Sequence, residues 1–396
     1  MLSAPALCAL PLLSRPSMLS RDTATMPFAI LHHLSTICGI VGGNMKLEEV
    51  IVLEGHQEDR VWHASWSKDG KLLATSGEDK SIRIWTVSTD ASGTAPGTGA
   101  EGSGSTKCVC IATLEDAQSR TIRQVDWSPD GRMVCSASFD GTVAVWESQS
   151  EARTKWDMVT SLEGHDNEVK CAVWSSTGRF IATCGRDKRV WIWEQLDRGE
   201  FECVTMLEGH TQDVKNLVWH PSESVLFSCS YDDTIKVWAE DNDDWYCADT
   251  LLGHSSTVWA LALAPDGRRL LSVSDDLSIK VWHCSGNVNE EHAWQCSATL
   301  EKLHRHPIYS VDWSGDDHDL IVTGGGDNAL VLCRLDGGGD SSAGADTAFT
   351  VVCTVKGAHA ADVNCARWNP DVEGRGHLLV SSGDDGLVRL WRLVDV

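Results

Sequence analysis

The chain has 396 residues, of which 33 are basic and 57 acidic, for a net charge of −24. That balance argues against nonspecific nucleic-acid binding, which needs a positive surface to release counterions, and no run approaches the roughly 18 apolar residues of a membrane-spanning helix. Fifteen cysteines are scattered with no C-x-x-C pair, Cys108 and Cys110 being the nearest neighbours. The spacing therefore implies no zinc or iron–sulfur ligand set and no cofactor, and reads as a reduced cytosolic or nuclear protein.

In chain order, residues 1–44 stand apart from everything that follows. They carry Arg15 and Arg21, few acids, and apolar stretches at Leu7–Leu13 and Phe28–Leu31. They read as a disordered leader or as an extension upstream of a natural start at Met45, with an organelle transit peptide as the alternative. Residues 47–53 then form a strand-like run with Val50, Val52 and Leu53.

From His56 onward one unit recurs. Its first copy places a His, a hydroxyl, an Asp and a Trp at His56, Thr75, Asp79 and Trp85. The second has Gln118 in place of the His, then Ser136, Asp140 and Trp146. The third is His165, Thr183, Asp187 and Trp193; the fourth is His210, Ser228, Asp232 and Trp238. The fifth is His254, Ser272, Asp276 and Trp282. The sixth, His304, Thr323 and Asp327, has Cys333 where the Trp would be; the seventh is His359, Ser381, Asp385 and Trp391. Successive Asp positions lie between 44 (Asp232 to Asp276) and 61 (Asp79 to Asp140) residues apart. A second aligned Trp follows each His or Gln118, at Trp66, Trp127, Trp174, Trp219, Trp313 and Trp368, with Ala264 the exception. A period of this length means one supersecondary unit repeated.

Two Gly/Ser/Ala-rich inserts interrupt the repeats, at residues 89–106 and 336–347, and read as flexible links between units one and two and between six and seven. The first contains a G-x-G-x-x-G match at Gly97–Gly102, but a dinucleotide site needs that motif between a strand and a helix. No P-loop, nucleophile elbow or H-E-x-x-H is present, and nothing assembles a nucleophile, base and oxyanion site, so the chain reads as non-enzymatic.

The block LEGHDNEVKCAVWSSTGRFIATCGRDKRVWIWE (Leu162–Glu194) resembles a complete WD40 repeat. The resemblance implies an all-β, seven-bladed propeller over residues 45–396. The chain stops five residues after Trp391, so the last unit lacks a strand, and residues 47–53 are expected to supply it and close the ring. It also implies that the recurring His, hydroxyl, Asp and Trp bond to one another inside a blade, completely in five of the seven copies, and are structural. In WD40 proteins the residue before the turn Asp and the residue after the first-strand Val project onto one face around the central channel. Here the first set is Glu78, Phe139, Arg186, Tyr231, Asp275, Gly326 and Asp384; the second is Trp62, Arg123, Lys170, Lys215, Trp259, Tyr309 and Asn364. Arg123, Lys170, Arg186 and Lys215 make a basic arc interleaved with Trp62, Phe139, Tyr231, Trp259 and Tyr309. Aromatic residues and Arg are the usual hot spots of interfaces. The arc suits an acidic or carboxylate-ending peptide with an aromatic anchor, with Arg186 as a bidentate partner. The competing expectation is that Glu78, Asp275 or Asp384 neutralises it.

Segments not demanded by the propeller narrow the family. Gly55–Trp85, Gly185–Glu194, Gly209–Pro221 and especially SYDDTIKVWAEDNDDWYCADTLLGHSSTVWAL (Ser230–Leu261) resemble the WD40 subunit of the cytosolic iron–sulfur protein assembly targeting complex. The resemblance runs from about Lys46 to Trp391. It implies an adaptor that works with a small cluster-assembly adaptor, a HEAT-repeat adaptor and an iron-only-hydrogenase-like protein to deliver 4Fe–4S clusters to cytosolic and nuclear apoproteins. Arg186 matches an Arg on that family's functional face, although Gly185 and Arg189 depart from its pattern. A generic WD40 scaffold for chromatin, ubiquitin ligation or RNA processing is the alternative.

Overall fold

Apolar and β-branched residues alternate with polar ones in short runs that each stop at a turn, which favours strands over helices. A computed structural model describes residues 38–39, 45–56, 59–89, 106–197, 199–242, 244–315, 319–336, 348–370 and 377–396. Every regular element among them is a strand, and the strands form seven antiparallel sheets. Blade 1 takes Val61–Trp66, Leu72–Gly77, Ile82–Thr89 and Thr106–Leu114 from the channel outward. Blades 2 to 5 repeat this order from innermost strands Ile122–Trp127, Val169–Trp174, Val214–Trp219 and Val258–Leu263. Blade 6 runs from Ile308–Trp313 to Ala348–Val355, whose outer edge also pairs with Cys38–Gly39. Blade 7 takes Val363–Trp368, Leu378–Gly383 and Val388–Asp395 from the end of the chain and Met45–Leu53 from near its start. The architecture is the seven-bladed propeller, and the strand expected over residues 47–53 completes the last blade.

Packing closes the ring as firmly as pairing does. Each apolar cluster is shared by two neighbouring blades, so the core has no free end. Phe227 and Val237 of blade 4 pack with Leu261 and Trp282 of blade 5. At the closure, Leu53, Val388 and Leu390 of blade 7 pack with Val61, Leu73 and Trp85 of blade 1, while Leu47 joins the cluster of blades 6 and 7. A sheet whose two faces are both covered and whose ring is closed offers few edges to other chains.

The inserts occupy a different place from the one expected. Thr89 and Thr106 are directly paired, as are Asp336 and Ala348. Each insert therefore joins the third and fourth strands inside a blade, blade 1 and blade 6, rather than linking two blades. Residues 1–37 and 40–44 and the bodies of the inserts, 90–105 and 337–347, lie outside the described residues.

In blades 1, 3, 4, 5 and 7 the His, hydroxyl, Asp and Trp make one continuous set of bonds. In blade 3 His165 Nδ1 lies 2.8 Å from Asp187, its Nε2 2.8 Å from Thr183 Oγ1, and Trp193 Nε1 donates to the same hydroxyl at 3.0 Å. Blades 1, 4, 5 and 7 repeat this, with Trp85, Trp238, Trp282 and Trp391 donating at 2.8–3.0 Å. Burial alone would raise the Asp pKa values, but bonds from the His and neighbouring hydroxyls outweigh it; Asp79, Asp187, Asp232 and Asp276 are held low, and Asp385 at about 2. Blade 6 keeps His304 on Asp327 and Thr323, with buried Cys333 replacing the Trp donor. Blade 2 is rewired: Gln118 accepts from Ser136 Oγ and donates to the Ser136 and Thr142 carbonyls, and Trp146 Nε1 is buried without a partner.

Candidate functional site

One backbone bond, repeated in every blade, builds the face around the channel. The residue before the turn Asp donates its N–H to the carbonyl of the residue before the innermost-strand Val or Ile. The pairs are Glu78 to Arg60, Phe139 to Thr121, Arg186 to Glu168, Tyr231 to Asp213, Asp275 to Thr257, Gly326 to Pro307 and Asp384 to Asp362, at 2.8–3.0 Å. Gly185 shows how close the two segments run, since a Cβ there would meet the Glu168 carbonyl at 2.4 Å. Each blade thus brings three positions together, the residue before the Asp and the two flanking the start of the first strand, and all but blade 6, which has Gly326, present three side chains there.

These side chains form two clusters. In the first, the Trp62 and Phe139 rings lie 6.4 Å apart, with the Arg123 guanidinium 5.0 Å from the Trp62 centroid and Lys170 Nζ 4.1 Å from that of Phe139. In the second, Lys215 Nζ sits 5.1 Å from Tyr231 and 5.0 Å from Trp259, which packs edge-on against Tyr309 at 5.3 Å. Both spacings are in the range of cation–π attraction. Tyr231 is among the most exposed large side chains, at 56%.

The carboxylates that pair with the arc are not the expected ones. Glu168 binds Lys170 at 2.9 Å, Arg120 at 3.1 Å and Arg186 at 3.5 Å, and the Lys170 bond and these charges hold its pKa low. Asp213 takes Lys215 at 3.5 Å. Burial lowers the Lys215 pKa, as do Lys170 and Arg123, against the pull of Asp213. By contrast Glu78 and Asp384 face Arg60, at 3.9 and 3.4 Å, and Asp275 accepts from Trp259 Nε1 at 3.4 Å. The geometric reason is the repeated backbone bond, which sets Glu168 and Asp213 beside the arc in blades 3 and 4. The expected acids belong to blades 1, 5 and 7. Arg186 touches none of the rings; it is held by Glu168 and stays 57% exposed.

On the other side of this ring of residues lies a cavity of about 440 Å³, lined by all seven innermost strands and including His63, Gln124, Asp126, Asp312 and Arg367. Asp126 spans the seam between blades 2 and 3 by accepting the Trp174 N–H at 2.9 Å, and Asp312 does the same for Trp368 at 2.7 Å between blades 6 and 7. Burial pushes the Asp126 carboxyl up to about 6 despite these bonds.

The WD domain, G-beta repeat family matches residues 47–86, 108–147, 156–194, 201–239, 245–283, 294–332 and 349–392. The chain is 39% identical to the probable cytosolic iron-sulfur protein assembly protein CIAO1 homolog of Caenorhabditis elegans over 347 residues, covering 86% of this chain and 96% of that one. It is 42% identical to Protein CIA1 of Arabidopsis thaliana over 367 residues, 88% of this chain and 97% of that one. It is 36% identical to the probable cytosolic iron-sulfur protein assembly protein 1 of Vanderwaltozyma polyspora, covering 88% and 99%. The chain belongs to the WD40 family of cytosolic iron–sulfur protein assembly proteins.

Among the described residues of this iron–sulfur assembly family member, no group of His, Cys, Asp and Glu side chains is placed to hold a metal ion. Cys110, Cys203, Cys247 and Cys296 are exposed, one to a blade, whereas Cys135, Cys171, Cys184, Cys229 and Cys365 are buried, with Cys171 and Cys184 opposite each other on paired strands of blade 3. No helix among the described residues is long and apolar enough to cross a membrane. The residues that the repeat pattern left unremarked are Glu168, Asp213 and Arg120. Glu168 and Asp213 occupy the position just before the first-strand Val, so the signal that locates them is the same seven-fold alignment moved by one residue.

Proposed function

We propose that this chain is a non-catalytic adaptor of the cytosolic iron–sulfur cluster assembly machinery, acting through protein contacts at its channel-mouth face. The observation that carries the reading is the gathering of four cations and five aromatic rings on one face of a protein with net charge −24, in a member of a family named for this assembly process. The partners are a small cluster-assembly adaptor, a HEAT-repeat adaptor, an iron-only-hydrogenase-like protein and client apoproteins that receive 4Fe–4S clusters in the cytosol and nucleus. The face receives an acidic or carboxylate-ending peptide segment with an aromatic anchor: the rings offer apolar contact and the cations offer charge-assisted bonds. Residues 45–396 carry this role, with Cys38–Gly39 added at the edge of blade 6.

Affinity capture with the full chain tests the reading. Wild type is expected to recover iron–sulfur assembly proteins and iron–sulfur apoproteins, and the variants Arg186→Glu and Lys215→Glu to lose one or more of them, each compared at a temperature where a thermal scan shows it folded. Recovery of histones or ubiquitin-ligase subunits instead would favour a generic scaffold. Equal recovery by wild type and both variants would remove the face from the account.

A further inference from the structure

The cavity inside the ring has two unlike walls. Ser65, Asp126, Asp312 and Arg367 line it from blades 1, 2, 6 and 7, which are consecutive in the closed ring. Val173, Val218 and Leu261 line it from blades 3, 4 and 5, on the opposite side. Val173 and Val218 are only partly buried, so they turn apolar surface to the cavity. Its volume of about 440 Å³ lies in the range of small-molecule sites. Ser176, Gly315, Asn369 and Pro370 also line it, from the loops that follow three of the innermost strands. The cavity therefore reaches the end of the channel remote from the aromatic and cationic face, which is built at the starts of those strands.

The charges on the polar wall do not cancel. Arg367 is engaged by Asp312 at 3.3 Å and donates to the Val311 carbonyl as well. Asp126 has only neutral donors, the Ser65 hydroxyl at 3.2 Å and the Trp174 N–H at 2.9 Å. Among the described residues no Lys, Arg or His lies at ion-pair distance from it. A carboxylate drawn out of water without a counterion is a cost that a ligand cation would relieve. His63 stands in the same cavity wall, 7% exposed, with both ring nitrogens buried and unpartnered. Burial, reinforced by Arg367 and Arg123, lowers its pKa well below the usual imidazole range. It is therefore neutral near pH 7, brings no positive charge to Asp126, and leaves a lone pair for a donor.

We propose that this end of the channel is a binding site for an aliphatic ammonium ion, with the ammonium on Asp126 and the methylene chain along Val173 and Val218. An alkylammonium matches both walls: its head supplies a compact charge with three donors, and its stem is apolar. An anion would meet two carboxylates, and an alcohol would leave Asp126 without a counterion. A free polyamine and the lysine side chain of a partner share this chemistry. The site stands apart from the peptide-binding reading of the opposite face and does not depend on it.

Isothermal titration calorimetry with the full chain, near neutral pH and at about 0.15 M salt, tests the site. The probes are n-hexylammonium and 1-hexanol, which differ in the charged head. Wild type is expected to show one saturable site for the amine and to bind the alcohol at least about tenfold more weakly. Asp126→Asn, whose amide oxygen can still accept the Trp174 N–H, is expected to weaken the amine about tenfold or more and to remove the preference. Arg367→Gln leaves Asp312 unpaired and is expected to tighten the amine about threefold or more, a direction that loss of structure does not produce. Glu202→Gln, on the exposed outer strand of blade 3, is expected to change nothing, which separates the cavity from general attraction to an acidic surface. A thermal scan verifies that each variant is folded; if Asp126→Asn is not, the two probes on wild type and Arg367→Gln decide. Spermidine and Nα-acetyl-lysine methylamide then distinguish the sources, the tighter one naming a free polyamine or a partner's side chain. Absence of a saturable amine site, equal binding of amine and alcohol, or amine binding that Asp126→Asn and Arg367→Gln both leave unchanged would overturn the proposal.

Discussion

The residues most informative about fold and those most informative about function stand next to each other. Thr183 Oγ1 joins His165 and Trp193 in blade 3, while Arg186 and Glu168, within a few residues of that network, sit on the surface. Blade 2 shows what the network is worth. There Gln118 has taken the place of His, and Trp146 Nε1 is left buried without an acceptor. Restoring the pattern with Gln118→His would let Ser136 Oγ receive Trp146 and would give Asp140 an imidazole partner. An unmet buried donor costs about 1–3 kcal/mol, so the variant is expected to melt about 1–3 °C higher. An unchanged or lower Tm in a thermal scan would show that the Gln arrangement is already fully compensated. In blade 7 the Asp385 carboxyl is held at about 2, below an unfolded value of about 3.9. Its contribution, about 2 kcal/mol, is therefore complete above pH ~4 and disappears as pH falls toward 2. Asp385→Asn is expected to lower Tm at pH 6 and to differ much less from wild type near pH 2.5. A deficit of equal size at both values would assign the cost to something other than charge.

At the scale of strands, the seams between blades carry polar bridges as well as apolar clusters. Asp126 accepts the Trp174 N–H and the Ser65 hydroxyl, so one carboxylate ties together blades 1, 2 and 3. Its folded pKa is raised to about 6, the opposite of the Asp385 case, and the sign reverses. The unfolded chain ionises first as pH rises, so wild type loses stability between about pH 4 and pH 6. Asp126→Asn does not titrate, and the difference in Tm between it and wild type is expected to move in the variant's favour from pH 4.5 to pH 7.5. A pH-independent difference would contradict the burial of this charge. Much of this level was legible in the sequence. The Asp-to-Trp spacing placed six blades, His304, Thr323 and Asp327 placed the seventh, and the missing strand after Trp391 pointed to residues 47–53. What escaped was the identity of the acids beside the arc. Glu168 and Asp213 come into place only through the backbone bonds from Arg186 and Tyr231, and a count of charges cannot tell which carboxylate a curved ring of blades sets against which cation. The inserts were misplaced for a related reason: the repeat is read from the His, whereas the blade begins at the innermost strand, so the third-to-fourth-strand turn looked like a join between units.

For the molecule as a whole, closure makes the propeller one cooperative object whose face can be used as a rigid platform. Leu53, 5% exposed, belongs to the strand that ends the ring and packs across the seam with blade 1. Leu53→Ala is expected to cost about 2–5 kcal/mol and to move a single unfolding transition to lower temperature. Two separated transitions would mean that blade 7 unfolds on its own. A rigid, closed ring with its cations and aromatics on one face suits an adaptor, and the most direct test of that role is made in cells. Depletion of the protein, with replacement by wild type or by Arg186→Glu, should be followed by assays of a cytosolic and a mitochondrial iron–sulfur enzyme. The account predicts that depletion lowers the cytosolic activity alone and that only wild type restores it. Cytosolic activity that survives depletion, or that falls together with the mitochondrial enzyme, would contradict a role in cytosolic iron–sulfur protein assembly.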